Sequence, residues 1–129
     1  MNGALGLIEA MGLTTAVTAL DAASKAANVT LVGIEKIIGV GGSVGVNIQI
    51  AGEVAAVQAG VDAAVTAGNK VGTIFAYHVI PRPHEDVDRL IKEFAKNLKD
   101  KEQVKEVEKA EEVKKEEKPT KNKKTKREE

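Results

Sequence analysis

Apolar and polar positions alternate with two different periods along this chain, and the switches between them predict its elements. Ala4 to Ala10 reads Ala-Leu-Gly-Leu-Ile-Glu-Ala, a short apolar run without helix caps, which predicts a buried strand. Gly12 separates it from a helical stretch that Thr14 or Thr15 is placed to cap, with Leu13, Val17, Leu20, Ala23 and Ala27 recurring as one apolar face until about Asn28. Val29 to Ile34 is β-branched and strand-like, and Val44 to Ala51 alternates at period two. A second helix is predicted from Gly52-Glu53, with Val54, Val57, Val61, Ala64 and Val65 as its buried stripe and Gly68-Asn69 as its stop. Val71 to Val79 returns as a last strand.

The order β-α-β-β-α-β predicts an α+β chain of ferredoxin-like type, a four-stranded antiparallel sheet with both helices on one face. The other face is then expected to be solvated or covered by neighbours. Ile80-Pro81-Arg82-Pro83-His84 holds the chain extended, since each proline fixes its own φ and biases its predecessor away from helix. Arg82 is thereby displayed on a stiff support. A short C-terminal helix is expected from Glu85, with Val87, Leu90, Ile91 and Phe94 as its apolar side. Farther on, Val104, Val107 and Val113 are too few among lysines and glutamates to build a core, so 92–129 reads as a charged, mobile or marginally helical extension of a domain at 1–91.

Charge sharpens that division. Residues 1–91 hold five basic and eight acidic side chains, and 92–129 hold fourteen and eleven, so a net charge of zero conceals two unlike segments. The tail is a poor nucleic-acid binder because acids interleave with its lysines and no aromatic residue past Phe94 accompanies them. With three aromatic residues in the chain, the core is built from small aliphatic side chains, and association would supply the missing burial. No cysteine is present, which excludes disulfides and thiolate-held metals or clusters, and two histidines make no obvious metal site. Neither a signal peptide nor a membrane span is read at the N-terminus. Glu85, Asp86 and Asp88 suit the opening turn of a helix better than acid–base chemistry, and His84, beside a proline, reads as an edge or surface residue rather than as half of a proton relay or metal pair with His78, so no catalytic residue, metal or cofactor is expected.

Ile37 to Gly45, Ile-Ile-Gly-Val-Gly-Gly-Ser-Val-Gly, is a glycine-rich stretch with no charge between Lys36 and Glu53. Its glycines suit a turn or a ligand-facing nest. A dinucleotide fingerprint needs a helix directly after the glycines, and a strand follows here instead. One functional class left open is a small-molecule-sensing regulator that binds a nucleotide or another anion at this loop.

Four segments point elsewhere: Ala4-Leu-Gly-Leu-Ile-Glu9, Leu31-Val-Gly-Ile-Glu-Lys36, Gly52-Glu-Val54 and His78-Val-Ile-Pro-Arg-Pro-His84. Together, over about residues 2–91, they resemble bacterial microcompartment shell proteins of the single-domain, hexamer-forming class. The resemblance implies the BMC fold, a non-enzymatic structural role in a cytoplasmic microcompartment, and homohexamers tiled with other shell proteins into facets. It further implies that Ile38, Gly39, Val40, Gly41, Gly42, Ser43 and Val44 line a pore for small metabolites. Lys25, Asn28 and Arg82 would then contact neighbouring hexamers, and the charged tail would be free to meet cargo. Exposed amides and Ser43 would offer hydrogen bonds to polar metabolites and a mild preference for anions. Relative to the commonest family pattern, this chain is about four residues longer between Lys36 and Gly52. The length resembles the enlarged loops of some glycyl-radical microcompartments, although the cysteine that holds their cluster has no counterpart here.

Overall fold

The computed structural model describes residues 3–40, 42–96 and 98. Its elements run β1 (Ala4–Met11), α1 (Leu13–Ala26), β2 (Thr30–Val40), β3 (Ser43–Gly52), α2 (Val54–Val71) and β4 (Ile74–Ile80), followed by a helix α3 over 85–96. The sheet is antiparallel throughout, in the order β2-β3-β1-β4. The element order and sheet agree with the sequence reading, and the differences lie in where elements end and which faces they bury.

β1 lies inside the sheet, between β3 and β4, and carries apolar residues on both faces. Gly6 points toward α2, where a methyl group would come within 2.8–2.9 Å of Ile50, Val57 and Val61. With Ala4, Ile8 and Ala10 of β1 and Val46, Ile48 and Ile50 of β3, these valines belong to the fully buried core. Leu5 and Leu7 point the other way and line a cavity of about 260 Å³ with Val87, Leu90, Ile91 and Phe94 of α3. The second face of the sheet is therefore partly covered by this chain's own α3.

Helix α1 opens at Leu13, behind Gly12 at φ +80°, rather than on a threonine cap. Gly12 donates its N–H to the Val44 carbonyl at 2.9 Å, which ties the turn to β3. The buried stripe of α1 is Thr15, Ala16, Ala19 and Ala23, while Leu13 and Val17 are 50% and 53% exposed. The expected apolar face is thus rotated, because α1 and α2 approach closely and only small side chains fit between them. A methyl group on Gly60 would lie 3.7 Å from the Ala23 methyl, and one on Gly68 3.5 Å from Ala19. In α2, Val57, Val61 and Ala64 are buried as expected, but Val54 is exposed. Gly68-Asn69 does not stop this helix, which continues to Val71. Gly68 makes room for Ile74, and Asn69 Oδ1 accepts the Ile74 N–H at 3.0 Å, so the pair sets the start of β4.

Candidate functional site

The glycine-rich stretch is the tip of a β-hairpin. β2 and β3 pair outward through Ile37↔Gly45 and Ile38↔Val44 to Val40↔Ser43, with a register shift around Gly39. What reads in sequence as a nine-residue loop is mostly ladder, because each residue in an alternating strand can keep its backbone paired. Gly39 and Gly42 take φ of +93° and +76°, and nothing lies within 4 Å of the space a methyl group would fill at either. Those angles favour glycine, and the hairpin turn needs them. Gly41 and the side chain of Val40 lie outside the described residues.

Aliphatic side chains flank this tip. Ile38 is 89% exposed and Val44, its cross-strand partner, 45%. Ile37 is also exposed and alternates to the opposite face. Ser43 is exposed.

The expected edge residues lie at the other end of the sheet. β1 begins and β4 ends there, since Leu5 pairs with Ile80, whereas Met11 pairs with Gly45 near the hairpin. Arg82 follows the end of β4 and is exposed. Lys25 lies in the last turn of α1, exposed, with Nζ 2.7 Å from Asp21 Oδ2. Asn28 follows on the way into β2, its carbonyl oxygen 3.0 Å from where a methyl group on Gly52 would sit. Lys25 and Asn28 thus precede one edge strand and Arg82 follows the other.

Two residues take roles that the sequence did not indicate. His84 opens α3: its carbonyl accepts the N–H groups of Val87 and Asp88 at 3.0 and 3.2 Å, and its ring Nδ1 accepts that of Asp86 at 3.1 Å. Asp86 also pairs with Arg89. Gln49 is 1% exposed, donating from Nε2 to Asn47 Oδ1 at 2.6 Å, while its Oε1 is buried against Gly33 without a hydrogen-bond partner. Its alternation with Ile48 and Ile50 signals a polar face, yet it shares that face with Leu5 and Leu7 and with Ile91 and Phe94 of α3. Among the described residues no group of three or more histidine, aspartate or glutamate side chains is arranged to hold a metal, and no helix is long and apolar enough to cross a membrane. The tail expected to meet cargo lies, beyond residue 98, outside the described residues.

Residues 4–83 match the BMC domain family. The shell protein PduA of Citrobacter freundii is 50% identical over 88 residues, covering 68% of this chain and 90% of that protein. The carboxysome shell protein CcmK2 of Synechocystis sp. is 43% identical over 93 residues, covering 70% and 86%. A solved microcompartment protein from Desulfitobacterium hafniense DCB superposes with a TM-score of 0.61 at 34% identity, over 69% of this chain. This chain spans about half of that structure's length, 48%.

Proposed function

The chain belongs to the BMC-domain family, and from that premise we propose that it forms hexamers whose central opening is rimmed by the hairpin tip, residues 38–44. Its role is structural, as a component of a bacterial microcompartment shell, where it assembles with copies of itself and with other shell proteins. The family is a structural one, and the shell role we assign needs no catalytic residue. The regulator that would bind a nucleotide at the glycines finds no support among the relatives.

The observation that carries the hexameric reading is the separation of the two candidate regions to opposite ends of the sheet. A tile with an opening at its centre needs its rim at one end of each chain and its contacts with other tiles at the far end. Arg82, raised between two prolines, and Lys25 with Asn28 supply that outer margin, and small metabolites pass the inner one. To the lysine- and glutamate-rich extension we assign contacts with cargo or another partner.

Electron microscopy of concentrated protein tests this reading. Sheets or tubes of hexamers are expected, and Arg82→Ala is expected to abolish them while native mass spectrometry still finds the hexamer. Extended sheets that persist unchanged in Arg82→Ala would remove Arg82 from the margin, and a monomer or trimer in solution would overturn the hexamer.

A further inference from the structure

The hairpin tip supports an inference that rests on reading it as the rim of the opening. Glycines alone suggest a rim of backbone amides with some attraction for anions. The side chains beside them are aliphatic. Ile38 and Val44 are cross-strand partners on one face of the hairpin, and Ile37 stands on the other, opposite Gly45. All three are exposed, Ile38 more than any other large hydrophobic side chain among the described residues. No charged side chain occurs from Ile37 to Gly52. Each face of the hairpin thus carries an exposed aliphatic side chain directly behind the glycine turn, Ile37 also bordering the cavity beneath α3.

We propose that Ile38, with Val44 and Ile37, forms an apolar collar that makes this opening select by charge, passing small uncharged molecules and holding back ions. Sixfold repetition turns one isoleucine into a ring. An ion crossing such a ring must give up part of its hydration without a charged or strongly polar partner in return, and a narrow apolar constriction also tends to dewet. A neutral molecule with one or two polar groups loses far less. Ser43, the one hydroxyl at the tip, supplies too few contacts to replace the shell of an anion.

The test uses closed shells in which this full-length chain is the sole hexamer former, with uptake of radiolabelled acetamide and acetate measured at neutral pH. The two probes are close in size and differ in charge. Wild-type shells are expected to admit acetamide faster than acetate. Ile38→Ser is expected to speed acetate by about tenfold while acetamide changes less than about twofold; Ile38→Val, which keeps the collar aliphatic, should preserve the discrimination. Equal uptake of both probes by wild-type shells, or no effect of Ile38→Ser on their ratio, would overturn the collar. So would loss of the hexamer in Ile38→Ser, since that makes Ile38 a subunit contact. Ser43→Trp separates the two levels of the argument. If it slows both probes, the hairpin rims the opening even where the collar fails; if it slows neither, the pore assignment itself fails.

Discussion

The two faces of the sheet are built on different terms. Toward α1 and α2, the side chains of Ile8, Val46, Ile48, Ile50, Val57 and Val61 are wholly buried, with alanines and glycines setting the spacing. Toward α3, the same strands present Glu9, Asn47 and Gln49 beside Leu5 and Leu7, with a cavity of about 260 Å³ between the sheet and α3 and another of about 190 Å³ lined by β1, β3 and β4 alone. The first face is closely spaced and wholly buried, and it specifies the fold. The second tolerates polar groups and imperfect packing, so α3 acts as a cover over a sheet already fixed from the other side.

Substitutions on the two faces should therefore differ in size. Ile8→Ala, in the tight layer, is expected to cost about 4 kcal/mol, the transfer of a buried side chain plus a cavity that the alanine-spaced helices cannot collapse. Phe94→Ala, beneath α3, should cost only about 1–2 kcal/mol, because the ring is partly exposed and borders space that already exists. Denaturant melts of both variants at one fixed protein concentration measure the gap, and equal losses would erase the distinction between the faces. Gln49→Leu is expected to be neutral or stabilising by about 1 kcal/mol, since it removes a buried carbonyl that has no partner, against the loss of one hydrogen bond to Asn47. Hydrogen exchange of the α3 amides should slow in that variant; faster exchange would mean that Gln49 holds α3 in place. Lys25→Ala, whose partner Asp21 is exposed as well, should shift stability by less than about 0.5 kcal/mol, so any effect it has on tiling of hexamers would be read as a contact effect.

The order of elements was legible because strands and helices differ in period, and Val-Asn-Ile-Gln-Ile or Val57-Val61-Ala64 leave little ambiguity. The burial of α1 was not legible. Leu13 and Val17 dominate any hydrophobic reading of that helix, yet the buried residues are Ala16, Ala19 and Ala23, the last two set against glycines of α2, because closeness of approach rather than size decided which face turned inward. Gly68-Asn69 misled for a related reason: a glycine that clears space for Ile74 has the same letter as a glycine that ends a helix. At the hairpin, the residues could be singled out from resemblance, but not their conformation, since a glycine-rich run gives no sign of whether its backbone is paired. The opposite placement of Lys25, Asn28 and Arg82 required the strand order, which pattern along the chain does not contain.

The two open glycines at the hairpin tip make its length an independent variable. Adding one residue to each strand behind Gly39 and Gly42 extends the ladder outward by about 3.4 Å and exchanges which side chains face which way, while Gly12 and Val44 continue to anchor the base and no residue of the α1–α2 layer is displaced. Reach and lining of the hairpin can thus be altered in single steps, and in the proposed hexamer such a change would reshape the opening while leaving the α1–α2 layer as it is.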